Sequence, residues 1–512
     1  MGIQPNTTTS AQRLLVILAM TGSLSLIMMD ITIVAIALPE IGRDLALSSE
    51  TLHWVINAYI VVMASMVALG GRVGDLIGKR TAFIAGITGF ALSSLVCGLA
   101  ESGAVLIGAR IVQGISAVLM QPASSAIVLS IAPPESRGKV MAVYVGIPLL
   151  FLTMGPVLGG IITEYAGWRW NFFLNLPVAI LAIVLTVCSR VQSPRATGES
   201  IDPLATLLLL VSFPMLVIGL QQSAVWGYDD QRTLSLVLGG LGGLVLFMWR
   251  QKRAKNPTLH LELFKDRVFL CSCILLFLSQ FALTGSLVQL AMYAQIVLGY
   301  DSVRAGLSIL PLMLPILFMV HYAGRTYDRK GVKIPVVIGS IGSGVGLVTM
   351  GIGALQQSYP IMAGGMVVLG LSSAFVTMPA NTEGMARVGQ ERRAQASGLL
   401  QTFRQSGAAF GVAIFTAIGV WARTSNLNLE GQECESHTEL VDMAMQGDVD
   451  SYSALVGTVS QACLELVYAA LSMGTGIPLC IAGIAVGLGV LPALKWCPTI
   501  PFSRASSSVA KD

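Results

Sequence analysis

Asp30 stands inside an apolar run that extends from about Leu14 to Leu38, between Met29 and Ile31-Thr32-Ile33-Val34. An ionised carboxylate in the middle of a hydrocarbon layer costs about 3 kcal/mol on insertion scales and more in simulations. Desolvation disfavours the charged form of a carboxylate, and one that exchanges its proton near neutral pH can carry that proton. The bland alternative is a polar contact to a neighbouring helix. Arg110 lies in a second apolar run, 104–131. A guanidinium does not give up its charge, so it needs a carboxylate, a carbonyl cage or water. Asp30 is the natural partner. In that reading Arg110 holds Asp30 ionised until a substrate or a helix movement separates them. In the other, Arg110 bonds backbone carbonyls and fixes one conformation. Arg404 is the third such charge, in the run 394–421 beside Gln401 and Gln405. It either lines a cavity or tethers its helix.

The elements that must position these charges are hydrophobic helices. Of 512 residues, 54% are hydrophobic and 11% charged, against about 25% charged in a soluble domain. Runs near 20 residues recur at 14–38, 54–74, 81–100, 104–131, 140–163, 171–189, 203–222, 234–250, 268–297, 305–324, 334–355, 360–382, 394–421 and 468–494. Each is long enough to cross a hydrocarbon core of about 30 Å as a helix. Strand-type alternation is absent, which excludes a β-barrel. The first run is too long for a cleavable leader and lacks a small-residue cleavage site, so it reads as the first span. The expected fold class is an all-α membrane protein with fourteen transmembrane helices.

Charge orients these spans. With the N-terminus assigned to the cytoplasm, 24 of the 31 Lys and Arg residues fall in cytoplasmic segments. Five fall on the other side: Arg43, Arg169, Arg232, Arg304 and Arg423. Basic residues are retained on the cytoplasmic face, so both termini are expected inside. The net charge of +4 is therefore a topological signal and not one for nucleic acid.

The chain repeats itself. Gly71, Asp75 and Gly78, followed by Lys79 and Arg80, come after the second run, and Gly324, Asp328 and Gly331 come after the tenth, 253 positions later. Glu135-Ser-Arg137-Gly and Glu391-Arg-Arg393-Ala recur at an offset of 256. Two halves of six spans account for the repeat, and the stretch 203–267 supplies two additional spans between them. The expected segments are a cytoplasmic N-terminus (1–13), a first bundle (14–202), the added pair with a basic linker (203–267), a second bundle (268–494) and a tail (495–512). An acidic extracytoplasmic loop is expected at 422–463. Cys434 and Cys463 flank it and can pair if it faces an oxidising side; spacing does not decide this.

Several stretches also carry a resemblance. The Gly71–Arg80 loop resembles the signature between spans two and three of the major facilitator superfamily. Asp30-Ile-Thr-Ile-Val-Ala-Ile-Ala-Leu-Pro39, Leu106-Ile-Gly-Ala-Arg110-Ile-Val-Gln113-Gly114 and Gly155-Pro156-Val-Leu-Gly159-Gly160 resemble the first-, fourth- and fifth-span motifs of its fourteen-span drug:proton antiporters. Trp54–Tyr59, Trp168–Pro177, Pro257–Phe269 and Arg404-Gln-Ser-Gly fit the same family. The resemblance implies a major facilitator fold of two six-helix bundles plus two central spans. It implies proton coupling at Asp30, and a fifth-span hinge at Gly155, Pro156, Gly159 and Gly160 that blocks leakage and favours antiport. Small residues there also allow close helix packing, and a proline bends a helix.

The loops around Asp75 and Asp328 are expected to gate and not to bind. Gly71 and Gly78 permit close approach and a tight turn. Asp75 can cap a helix end or pair with a cation such as Arg137, latching the cytoplasmic side. Basic residues such as Lys79 and Arg80 follow from topology alone. The same offset carries Asp30 onto Leu283 and Arg110 onto Ala363, so proton chemistry is expected in the first half only.

No enzyme is expected. The Gly-rich stretches lie within apolar runs, not after strands, and no phosphate-binding loop is present. The four histidines, at 53, 260, 321 and 437, show no metal spacing. No cofactor, metal, nucleotide or nucleic acid is implied. The expected function is proton-coupled efflux of amphipathic drug-like or toxic small molecules across a bacterial inner membrane, by a chain acting as a monomer. Two alternatives stay open: export of a self-made metabolite such as an antibiotic or siderophore, and a flippase for lipids or their precursors. The cavity is expected between the halves, with Asn57, Tyr59, Gln113, Gln121, Gln280, Gln289, Asn381 and Arg404 along it. A single deep carboxylate slightly favours neutral or monocationic cargo.

Overall fold

The computed structural model describes residues 10–131, 137–189, 202–227, 229–253, 261–386, 388, 393–425 and 461–499. Among them there is no strand. The helices are α1 (Ser10–Asp44), α2 (Ser49–Ile77), α3 (Lys79–Gly98), α4 (Gly103–Ile131), α5 (Arg137–Ala166), α6 (Trp170–Phe173), α7 (Asn175–Cys188), α8 (Pro203–Trp226) and α9 (Gln231–Arg253). A 3-10 turn at Leu261–Lys265 leads to α10 (Arg267–Ile296), α11 (Ser302–Ser308), α12 (Leu310–Lys330), α13 (Lys333–Leu355), α14 (Tyr359–Ala386), α15 (Arg393–Ser425), α16 (Gln461–Gly487) and α17 (Val490–Trp496).

By length and composition, twelve of the described helices can cross a membrane, and thirteen if α11 and α12 count as one bent span. The expected count of fourteen is not reached on that measure. The shortfall is α2, whose described apolar stretch is only Thr51–Val67 although the helix continues to Ile77. The tenth expected run is broken, with a bend of 41° between α11 and α12. Pro311 at the start of α12 explains it: proline lacks the N–H that would continue the ladder and crowds the preceding turn. The loop expected at 422–463 is shorter, because α15 runs on to Ser425 and α16 starts at Gln461. The remainder of that loop, with Cys434, lies outside the described residues, as does the side chain of Cys463.

Short polar side chains start several helices. Ser48, Asp202, Asp266 and Asp301 each accept a backbone N–H of the following turn, filling the orphan donors of a helix N-terminus. Glycine separates others. Gly78, between α2 and α3, has φ +93°, and Gly331, between α12 and α13, has φ +73°. A side chain is strained there, so the same residue type supplies a positive-φ link at the matching place in both repeats.

Packing follows the repeat. In the first half α1 packs on α5 and α7, α3 on α4 and α7, and α2 on α4. In the second, α10 packs on α15 and α16, α13 on α14 and α16, and α12 on α14. Across the halves, α2 meets α15 while α5 meets α11 and α12. The added helix α8 lies against α9, α15 and α2.

Candidate functional site

Helices α1 and α4 pack side by side in the first half and carry Asp30 and Arg110 at corresponding depth. Both side chains are completely buried. Arg110 Nη1 donates to Asp30 Oδ2 at 2.5 Å and to Gln113 Oε1 at 2.6 Å. Arg110 Nε donates to the Val55 carbonyl at 2.8 Å. Gln113 Nε2 donates in turn to Asp30 Oδ1 at 3.3 Å and to Ser94 Oγ at 2.8 Å. Asn175 Nδ2 reaches the same Ser94 hydroxyl at 3.1 Å. Tyr59 lies under the guanidinium, 4.5 Å from ring centre to Cζ, and Phe172 at 5.9 Å. Arg110 Nη2 and the Tyr59 hydroxyl have no hydrogen-bond partner.

The cluster is thus one carboxylate and one guanidinium, net neutral, joined by amide and hydroxyl groups. Arg110 thus makes both of the contacts weighed from the sequence, with the Asp30 carboxylate and with a backbone carbonyl. Gln113 sits three residues from Arg110, so one face of α4 delivers both to Asp30. Such a cluster can hold an anion out of water by charge-assisted hydrogen bonds. Adding one proton to Asp30 would leave Arg110 without its counter-charge.

The other expected cavity residues do not gather around it. Asn57 is completely buried, and Gln121 is nearly so with Oε1 unpaired. Half-buried Gln280 donates to Thr284 Oγ1 at 2.9 Å within α10. Gln289 is half-buried against α15, and Asn381 is exposed. Arg404 lies at the seam between halves. Its Nη2 reaches Met28 Sδ of α1 at 4.0 Å, and the neighbouring Gln405 Nε2 reaches Met63 Sδ of α2 at 3.6 Å.

The side chains of Asp75 and Arg137, the expected latch, lie outside the described residues. Arg80 Nη2 donates to the Val187 carbonyl at 3.5 Å, and Lys79 is half-buried. Asp328 is exposed on α12 and has no ion pair among the described residues. A methyl group at Gly71 would meet only Pro122 Cβ at 3.8 Å, and one at Gly324 only Met378 Cε at 4.0 Å. The close approach of α2 to α4 belongs to the preceding Gly70, where an added Cβ would fall on the backbone of Val118.

The fifth-span motif makes two kinds of contact. Gly155 and Gly159 face α1, against Thr32 and the backbone of Ile33. Gly160 faces the other half, against the backbone of Ser302 and Val303 in α11. Gly306 of α11 returns the contact on the carbonyl of Pro156. Gln295 Nε2 donates to the Ile36 carbonyl at 3.1 Å, a further link of α10 to α1. The halves are therefore drawn together at this end. Helix α5 is continuous through Pro148 and Pro156. Gly306 escaped the sequence reading because its partner is remote in the chain; a glycine one turn into a helix was its only trace.

Glu383 escaped too. The sequence reading ended that span at residue 382, but α14 continues to Ala386 and Glu383 is completely buried. The Tyr327 hydroxyl donates to its Oε2 at 2.8 Å. The signal available was a lone carboxylate directly after an apolar run, one residue short of a glycine. Among the described residues no His, Cys, Asp and Glu side chains gather into a metal-holding group.

The chain is 31% identical over 408 residues to the multidrug resistance protein Stp of Mycobacterium tuberculosis, covering 79% of this chain and 76% of that protein. It is 28% identical to the tetracenomycin C resistance and export protein of Streptomyces glaucescens, covering 96% and 92%. It is 31% identical to the puromycin resistance protein of Streptomyces alboniger, covering 85% and 86%. Among solved structures, an inward-facing bacterial homologue of the human lysosomal transporter Spinster matches with a TM-score of 0.63 at 16% identity, over 96% of this chain and 99% of that one. A D-xylose-proton symporter matches with a TM-score of 0.57 at 15% identity, over 86% and 96%. The family model described as Major Facilitator Superfamily matches residues 20–412. This multi-pass helical chain, whose first half holds a buried ion pair, belongs to the Major Facilitator Superfamily of transporters.

Proposed function

We propose that this chain exports amphipathic small molecules from a bacterial cytoplasm across the inner membrane, driven by protons moving inward. The observation that carries the reading is the buried Asp30–Arg110–Gln113 cluster, in the first half only. Relatives along most of the chain are resistance and export proteins. Both termini lie in the cytoplasm, and one chain is the working unit. The contacts of Gly160 on Ser302 and of Gly306 on Pro156 close the extracytoplasmic end. The turns at Gly78 and Gly331 lie at the cytoplasmic end, where Asp75 and Asp328 act as gates.

In this cycle a proton from outside neutralises Asp30 and releases Arg110 from it. The unpaired guanidinium biases the helices toward the cytoplasm-open state. Cargo entering there favours return of the proton to the cytoplasm, and re-formation of the pair accompanies turnover to the outward-open state. The test is uptake into inside-out vesicles over a broad compound panel, with the vesicle interior acidified. Asp30→Asn should abolish uptake, and so should a protonophore. Undiminished uptake by that variant would sink the proposal.

A second reading keeps the mechanism and changes the cargo to a metabolite made by the cell itself. The relative that covers 96% of this chain is a tetracenomycin C resistance and export protein, which favours it. Deleting the gene and profiling small molecules inside and outside the cell decides: accumulation of one product inside supports this reading, and an unchanged profile removes it.

A further inference from the structure

We propose that Arg404 is an anion-recognising group in the cargo cavity, and that the preferred cargo carries a carboxylate or another acidic group. The inference rests on the reading of the chain as an exporter and names its substrate class.

The sequence alone slightly favoured neutral or monocationic cargo, because Asp30 was the one deep carboxylate placed well inside an apolar run. The structure removes that carboxylate from the cavity. Asp30 is completely buried and engaged by Arg110 and Gln113, so a cationic cargo would first have to displace a guanidinium that cannot leave. Arg404 is in the opposite situation. It sits about three turns into α15, half-buried, with its tip at the thioether of Met28 across the seam and Nε without a partner. No carboxylate stands near it among the described residues. Besides α1, which reaches Arg404 through Met28 and whose Asp30 is engaged by Arg110 and Gln113, the helices packed on α15 are α2, α8, α10, α14 and α16. They carry carboxylates only close to their ends, at Glu50, Asp75, Glu383 and Glu465. Glu383 is completely buried on Tyr327, and Glu465 is exposed.

A guanidinium left this deep without a counter-charge is expensive unless water or an anion reaches it. Its planar fork suits a carboxylate. The surroundings supply the rest of an amphipathic site: Met28 and Met63 are adaptable apolar contacts, and Gln405 adds an amide. Export of an anion and import of a proton both run with an inside-negative potential, so this cargo class suits the proposed coupling.

The test is equilibrium binding to the purified full chain, read as saturable fluorescence enhancement of three probes on one fluorophore: dansylglycine (anionic), dansylamide (neutral) and dansylcadaverine (cationic). The wild type should bind dansylglycine at least about tenfold more tightly than dansylcadaverine. Arg404→Gln should erase that preference, and Arg404→Lys should keep most of it. Equal or tighter binding of dansylcadaverine overturns the proposal, as does a preference that survives Arg404→Gln or the absence of saturable dansylglycine binding. Should Arg404→Gln fail to fold, the wild type and Arg404→Lys ratios decide alone. No gradient is present in this assay. A failure of proton-driven efflux, seen in vesicles with Asp30→Asn, is therefore distinguishable from a failure of anion recognition.

Discussion

Arg110 and Asp30 meet at 2.5 Å with neither side chain reaching solvent, so each is the other's only full counter-charge. Removing one partner of such a pair costs about 3–5 kcal/mol, because the charge left behind stays buried. The two removals are not equivalent. After Arg110→Ala the lone carboxylate can escape by taking up a proton. After Asp30→Asn the guanidinium cannot lose its charge, but the Val55 carbonyl and Gln113 still accept from it. Above about pH 5, where carboxyls of the unfolded chain are ionised, thermal unfolding in detergent should therefore show an Arg110→Ala penalty that grows with pH and an Asp30→Asn penalty that stays flat. A pH-independent Arg110→Ala penalty would contradict a buried, charge-compensated pair.

Gly70 and its neighbour Gly71 should respond differently to the same methyl group. At Gly70 an added Cβ falls on the Val118 backbone, whereas at Gly71 it meets Pro122 at an ordinary 3.8 Å. Overpacking a close backbone contact costs about 1–3 kcal/mol. Gly70→Ala should lower the melting temperature by several degrees, and Gly71→Ala should leave it within error. The reverse ranking would show that the helix approach has been assigned to the wrong glycine.

The sequence was most legible where one residue type has one physical escape. Asp30 and Arg110 could be paired before any fold was known, because a charge in an apolar run needs a partner and few were on offer. Gly78 and Gly331 were legible from their repeat spacing, and both turn out to hold positive φ. What stayed hidden depends on three-dimensional neighbours. Gln113 reads as a cavity amide until α4 is coiled and puts it on the Arg110 face. Glu383 reads as a loop residue because hydropathy falls before the helix ends. Gly306 matters through Pro156, 150 positions away.

The seam between α5 and α11 closes only because Gly160 presents no side chain to the backbone of Ser302 and Val303, and Gly306 none to the backbone of Pro156. Gly160→Leu and Gly306→Leu should each prevent that closure and favour the state open at this end. Gln295, which now donates to Ile36 across the same end, reports on it. With Gln295→Cys added, and Cys434 and Cys463 changed to Ser, an impermeant maleimide applied from outside should label the leucine variants severalfold faster than their glycine parent. Transport should be lost in parallel. Equal labelling rates with transport intact would mean that the seam does not gate.

Asp202 ties the added helices together at one end, and its titration gives a separable pH signature. Its Oδ1 accepts from the Leu204 and Ala205 N–H groups at 3.1 Å each, and Arg250 Nε lies 2.9 Å from Oδ2. Burial alone would raise the carboxyl above its ordinary value of 3.8, but Arg250 and the two backbone donors outweigh it and hold it lower. A carboxyl held low in the folded state contributes stability above its unfolded value, and that contribution is lost as pH falls through the folded value. Asn is as good a helix cap as Asp, so Asp202→Asn removes the charge and keeps the cap. The difference in melting temperature between wild type and Asp202→Asn should be constant from neutral pH down to about 4 and shrink toward zero below it. Arg250 is partly exposed, so the difference should be modest and should fall with added salt. A difference that persists unchanged at pH values below the folded carboxyl's range would show that the tie acts through shape and not through charge.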